Sequence, residues 1–438
     1  MMRIPQELHD AISLEVEDVP TLKCLSLVDP QFRGACQRTL FHSFIPMRRD
    51  RPESRVAFLQ QSPHIAGYIT NLELDMTTDP GSAGLLMRIL PILVSVIHFE
   101  LIGEDWSCLP PDCAKAILAF CERQHLQYLH VEQFRMAFYT VLRFARLAPV
   151  VAFHEVVVPA FMDVHLPFFN KPRQSPPLRR LSWIPDSKPS SVSAGTLLTR
   201  EEFAPDMAEL RVLEVMVDEL SWVVVANMMW RCMRTVEAIR IHLHHGALAF
   251  TRHRTISCRN DIIVPAGFIE RIPHLSALRR LEFAIDNTPS SWRPSWLGLY
   301  AVLLSPATVP ALTELTFTYI NLCRTTSTNP SKFYIHALQW YPLECYALAK
   351  LDCVLHSHPG NPRIRWLLHP TVFFENEFGR DRHSPLVLDD ETVGLAFSNF
   401  RESMQKEMPR MCADGRLMCE VYHGWRAGPG GYWINRVD

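Results

Sequence analysis

Three consecutive stretches decide the fold: LRVLEV (210–215), ELSWVVVANMMWRCM (219–233) and VEAIRI (236–241). In the first and third, apolar residues stand at positions one, four and six. Leu213 and Val215, like Ile239 and Ile241, then share one side of an extended chain whose residues alternate between faces. The middle stretch is apolar on nearly every side, so a buried helix is expected there. Strand, helix, strand at this length is the pattern of an α/β repeat.

The same frame recurs at Ile69/Leu72/Leu74, Val94/Ile97/Phe99, Leu126/Leu129/Val131, Leu178/Leu181/Trp183, Leu278/Leu281/Phe283, Leu312/Leu315/Phe317 and Leu348/Leu351/Cys353. Its middle members are 25 to 52 residues apart, and one degenerate strand, FHEVVV (153–158), fits the widest gap. About ten strand units follow. Helical patterns lie between them at DCAKAILAFCERQ (112–124), where Cys113, Ile117 and Cys121 form a stripe, and at QFRMAFYTVLRFARL (133–147). Frame and period resemble leucine-rich repeats, and the resemblance implies an irregular α/β solenoid over residues 47–438. Where that family places a buried Asn after the frame, this chain has Asp186, Asp218 and Asp286, or Thr77 and His244, so an irregular arc is expected. Pro- and Ser-rich insertions at 159–177, 186–196, 286–296 and 324–332 read as loops. A terminal cap is expected over about 389–425: a helical face of Val393, Phe397, Phe400 and Met404, then a strand with Leu417, Cys419 and Val421 after Gly415, and GPGG (428–431) as a turn beyond.

The first 46 residues are patterned differently. Pro5 and Glu7 suit a first helical turn, and Leu8, Ile12 and Val16 recur every four residues. Asp18 can cap a second helix carrying Pro20, Leu22 and Leu25. Asp29-Pro30 ends it and opens a third, lined by Phe32, Cys36 and Leu40. Three such short helices bury little surface among themselves and need a partner surface. The ordered set Ile4-Pro5-Gln6-Glu7-Leu8, Ile12, Asp18, Leu22, Leu25, Val28, Phe32 and Arg33, with QRTLFHSF (37–44) at its end, resembles the F-box motif of the fungal type. That resemblance implies an F-box domain over 1–46 that docks on the Skp-type linker subunit of a cullin-RING ubiquitin ligase. Pro5, Leu8, Ile12, Leu22, Leu25, Val28 and Phe32 would form the seam, each buried aliphatic adding ~1.5–3 kcal/mol. Glu15, Glu17 and Pro30 depart from the family's usual residues.

Composition bounds the rest. The chain has 438 residues, 48% of them hydrophobic and 21% charged, as a folded protein requires. Lys plus Arg is 44 against Asp plus Glu 46, a net charge of -2, so no global field favours nucleic acid or an anionic membrane. No signal-peptide core and no apolar window of ~18 residues is visible, which leads to the expectation of a cytoplasmic and/or nuclear protein. Twelve cysteines without a CxxC pair read as reduced thiols. The His-x-His pairs at His242/His244 and His356/His358 lack a third ligand. Phosphate loops and nucleophile elbows are missing too, so no metal, cofactor or catalysis is expected.

Residues between the frame positions should form the exposed strand face: Tyr128 and His130, Arg180 and Ser182, Val212 and Glu214, Ala238 and Arg240, Arg280 and Glu282, Glu314 and Thr316. Arg180, Arg240 and Arg280, with Tyr128, Glu214 and Glu282, are the candidate substrate face, the arginines suited to an acidic or phosphorylated segment. The expected function is a non-catalytic substrate-recognition subunit of an SCF-type ligase, whose partners are the linker, the cullin and an unknown protein substrate. The alternative is an F-box scaffold or sensor acting outside a ligase.

Overall fold

The computed structural model describes residues 5–16, 18–46, 52–76, 83–159, 177–185, 192–217, 221–243, 272–286, 303–323, 345–374, 386–387 and 390–421. The chain divides into two compact units, Met1–Asp206 and Met207–Asp438, and each is α/β.

The first unit opens with α1 (Gln6–Glu15), α2 (Val19–Val28) and α3 (Pro30–Phe41). The Asp and Pro positions set these boundaries: Asp18 accepts the Thr21 N–H at 2.8 Å and Asp29 the Gln31 N–H at 2.8 Å, with Pro20 and Pro30 in the first turns. There follow β1 (Ser43–Phe44), α4 (Pro52–Gln61), α5 (Pro63–Ala66), β2 (Asn71–Asp75), α6 (Ala83–Ile89), β3 (His98–Ile102), α7 (Pro111–Arg123), β4 (Tyr128–Glu132), α8 (Phe138–Phe144) and β5 (Val150–His154). Next come β6 (Val157–Val158), β7 (Arg180–Ile184), β8 (Val192–Ser193), α9 (Ala194–Leu198) and, at the boundary, α10 (Ala204–Met207). Strands β1, β2, β3, β4, β5 and β7 pair in that order and all parallel, while β6 and β8 pair antiparallel.

The pairing has no stagger. Leu72, Phe99, Leu129, Val151 and Leu181 lie on one rung and Leu74, Leu101, Val131, Phe153 and Trp183 on another, all buried. This row faces the helices, as the Phe99 ring shows by lying 5.7 Å from Phe120 of α7. A shared hydrogen bond starts four of these strands: the Thr70 carbonyl accepts the N–H groups of both Ile97 and His98 before β3, and the His42, Ile97 and Pro149 carbonyls do the same before β2, β4 and β7. Gln133 and Glu155, just past β4 and β5, take left-handed φ of 58° and 53°.

The second unit repeats this plan with β9 (Val212–Val217), α11 (Trp222–Cys232), β10 (Ala238–Leu243), β11 (Arg280–Asp286), β12 (Glu314–Cys323), α12 (Cys345–His356), β13 (Arg363–Phe374), β14 (Leu386–Val387), α13 (Asp390–Glu407), α14 (Pro409–Ala413) and β15 (Leu417–Val421). Strands β9 to β13 and then β15 are parallel, and β14 joins β13 antiparallel. The rung Phe283, Phe317, Trp366 makes an aromatic stack with ring centroids 5.5 and 4.2 Å apart. The Arg211, Glu237 and Arg279 carbonyls each take two successive N–H groups of the next strand, as in the first unit. Gly415, at φ 66°, supplies the left-handed turn into β15.

Four expectations are corrected. Leu348/Leu351/Cys353 lies in α12, not a strand, because the spacing i, i+3 also suits a helix: Leu348, Leu351 and Leu355 form its buried stripe. The strand there is β13, whose Ile364 and Trp366 pair with Leu315 and Phe317. The Val94/Ile97/Phe99 frame is shifted by two, since Phe99 and Leu101 face Leu72 and Leu74 while Val94 is exposed. FHEVVV is not the missing strand; β5 begins at Val150 and its inward residues are Val151 and Phe153. Helix α11 is not buried all round, because Val223 and Trp230 reach the surface.

The residues 160–176, most of the other insertions, Asp186, Asp218, Thr77, His244 and the GPGG turn lie outside the described residues. Among the described residues no helix is long and apolar enough to cross a membrane.

Candidate functional site

Helices α1 to α3 form the first candidate. Helix α3 packs against both α1 and α2 and touches α5, and the Phe41 ring lies 5.8 Å from Phe58 of α4. The face that α1 turns inward is polar and small. His9 sits edge-on to Phe32 at 4.4 Å, with its Nδ1 3.1 Å from the Pro5 carbonyl, and Ser13 Oγ lies 3.5 Å from Cys36 Sγ. With His9 and Ser13 inside, the apolar positions four apart point outward: Leu8 is 53% exposed and Ile12 42%. On α2 the order is reversed at one place only. Leu22 is 3% exposed and Leu25 is half-buried, while Leu27 and Val28 are 81% and 79% exposed.

Of the seam residues read from the motif, Pro5, Leu8, Ile12 and Val28 are thus at the surface, Leu25 and Phe32 are half-buried, and Leu22 is internal. Leu14, Val19 and Leu27 add exposed apolar surface that the motif reading left out. Polar groups hold the helix ends. The Gln6 amide and the Arg38 guanidinium keep the Asp10 carboxyl below its ordinary range, and the Thr21 hydroxyl and amide do so for Asp18.

The second candidate is the strand face turned away from the helices. In the second unit the zero-stagger register places Glu214, Arg240, Glu282 and Thr316 side by side. Arg240 donates to Glu282 at 2.6 Å and to Glu214 at 3.4 Å. Glu214 also faces His242 Nε2 at 3.2 Å, and Thr318 donates to Glu282 at 3.2 Å. Burial pulls the Arg240 pKa down, but Glu282 and Glu214 outweigh it and hold the guanidinium above its usual value. Arg240 is therefore held inside the sheet between two carboxylates rather than presented to a ligand. Arg280, one row away, is exposed, and Tyr128 and Arg180, both in the first unit, are half-buried.

In the first unit this face carries Glu100, His130, Glu132, His154 and Ser182. His130 and His154 are buried, not exposed, and hydrogen-bonded to each other at 2.9 Å. Sequence reasoning placed His130 on the face but missed His154, because the strand frame around it was read three residues late. Reading Val151 and Phe153 as the inward pair would have found it.

The histidines considered for metal binding are engaged otherwise: His242 with Glu214, His356 with Asp414 at 3.0 Å, and His358 Nδ1 with the Gly360 N–H at 3.0 Å. Burial holds the His358 pKa below its ordinary value. Among the described residues no group of three or more His, Cys, Asp or Glu is placed to hold a metal. No protein-family model matches the chain, and no curated protein matches it.

Proposed function

We propose that the chain is the non-catalytic substrate-recognition subunit of an SCF-type ubiquitin ligase, acting in the cytoplasm or nucleus. On this reading α1 to α3 are an F-box that docks on a Skp-type linker, and the parallel repeats are an irregular leucine-rich-repeat-like solenoid that holds a protein substrate. The observation that carries it is the exposed apolar surface on a helix triplet otherwise finished with caps and an ion pair: Leu8 and Ile12 on α1, Leu27 and Val28 on α2. Exposed apolar side chains gain ~1.5–3 kcal/mol each when a partner covers them. The shared carbonyl that recurs at the start of β2, β3, β4, β7, β10, β11 and β12 supports the solenoid reading.

Leu22 belongs to the support of this surface, and the contact falls to Leu8, Ile12 and Val28. On the strand face Arg280 remains available for an acidic substrate segment, while the Glu214–Arg240–Glu282 row serves as its rigid floor.

The test is affinity purification of the full chain beside a Leu8→Asp, Val28→Asp double variant, whose substitutions sit on exposed positions that the fold does not need. Capture of linker and cullin by the wild type alone is the expected result. Linker without cullin would favour the scaffold role, and neither protein in the wild-type eluate would end the F-box reading.

A further inference from the structure

The strand face of the second unit carries charges that its internal ion pairs do not use. On the rung that holds Glu214, Arg240, Glu282, Thr316 and Arg365, each cation already has a carboxylate: Arg240 lies between Glu214 and Glu282, and Arg365 donates to Glu420 at 2.7 Å. The rung before it, at the start of the strands, reads Val212, Ala238, Arg280, Glu314 and Arg363. The buried Leu281, Leu315 and Ile364 that follow turn toward the helices, so the side chains of this first rung turn away from them. Arg280, Glu314 and Arg363 are exposed, and none of the three has an ion pair or a side-chain hydrogen bond among the described residues.

Two cations therefore flank one anion at a spacing set by the sheet. Adjacent strands lie about 4.8 Å apart, which puts the backbones of Arg280 and Arg363 ~9.5 Å from each other with Glu314 midway. A polyproline II segment rises about 3.1 Å per residue with three residues per turn, so every third side chain points the same way at ~9.3 Å intervals. A β-strand places same-side residues at about 6.8 Å or 13.6 Å, and neither interval matches as well. Beyond Arg280 the half-buried Val212 and Ala238 continue the rung as a low apolar floor on which proline rings can lie.

We propose that this rung binds an acidic, proline-rich protein segment that crosses the strands, with carboxylates three residues apart, one opposite Arg280 and one opposite Arg363. The inference rests on the reading of the strand face as the substrate surface, and not on the helices docking on a linker. Glu314 sets the selectivity. It disfavours an unbroken acidic run, whose middle carboxylates would face it, and leaves the spaced pair. An exposed arginine–carboxylate contact strengthens binding only about 1.4- to 5-fold, so the contact is weak and salt-sensitive, and a repeated segment offers it several registers.

The test uses the full chain and fluorescein-labelled peptides, read by anisotropy at about 20 mM salt so that screening is low. The probes are four Asp-Pro-Pro repeats, a block peptide of four Asp followed by eight Pro, four Ser-Pro-Pro repeats, and the same Ser peptide phosphorylated. The Asp-Pro-Pro peptide should bind about threefold tighter than the block of equal charge, and the Ser-Pro-Pro peptide should not bind. Arg280→Glu and Arg363→Glu should each weaken the Asp-Pro-Pro peptide about five- to twentyfold, since each variant removes one attraction and adds one repulsion. Glu314→Gln should strengthen the block peptide most and narrow the gap between the two. All three positions are exposed, and unchanged circular dichroism checks that the variants fold. Equal binding of the two acidic peptides, full binding by either arginine variant, or binding of the phosphoserine peptide alone overturns the proposal. Linker capture by the same two arginine variants separates the two readings. It should be unchanged, and its absence from the wild type ends the F-box reading while leaving this one standing.

Discussion

Asp352 closes the second unit, and its replacement offers the sharpest test of how that unit is held together. Its side chain projects from α12 and is 2% exposed. The carboxylate accepts the Met411 N–H at 2.9 Å and the Arg410 N–H at 3.2 Å, at the start of α14. Met408, the residue preceding that helix, provides no side-chain cap, so Asp352 satisfies from a distance the donors that a local Ser or Asp would normally take. Hydrogen bonds to a charged acceptor are worth about 1.5–3 kcal/mol each, and a buried donor left without a partner loses most of that. Asp352→Ala should therefore cost about 2–4 kcal/mol, and Asp352→Asn, which keeps one acceptor oxygen, roughly half as much. Hydrogen exchange over 409–413 reads the effect locally: about 2–4 kcal/mol is a roughly 30- to 700-fold loss of protection if opening there requires release of α14. Protection unchanged in the Ala variant, or an Asn variant weaker than Ala, would refute the assignment of Asp352 as the cap of α14.

Other outcomes follow from single contacts. A Cβ at Gly360 would stand 2.2 Å from the Leu312 carbonyl oxygen, a backbone atom that cannot swing aside, so Gly360→Ala should cost about 1–3 kcal/mol in denaturant unfolding. Asp10 and Asp18 have folded pKa values below the ordinary 3.8, so their contribution is complete above that pH and is lost as pH falls through the lower folded values. The helical signal of the first unit should decline there, and Asp18→Ala should remove part of the wild type's advantage above pH 4 only. Burial raises the Cys121 thiol far above its ordinary value and pushes Cys232 up to about 12, whereas Cys24, Cys108 and Cys353 are exposed. Alkylation at pH 8 read by mass spectrometry should label the last three and spare the first two.

Residue order alone determined the elements whose local chemistry is unambiguous. Asp18 with Pro20 and Asp29 with Pro30 start α2 and α3 because a cap and a proline act on their own helix, whatever lies beyond. The stripe of Cys113, Ile117 and Cys121 marked α7, and the apolar frames marked most parallel strands, because alternation and helical spacing are properties of a single segment. Tertiary structure decided what depends on a neighbour. The spacing of Leu348 and Leu351 suits helix or strand, and only packing in the folded unit makes it α12; Val94 and Phe99 fit two frames, and only pairing with Leu72 selects one. It decided the outward face as well. A sequence shows that Arg240, His130 and His154 carry charge or protons, but a register without stagger puts Arg240 between two carboxylates and one imidazole against another. Electrostatic energy depends on distances between strands, and those distances exist only after the strands have aligned.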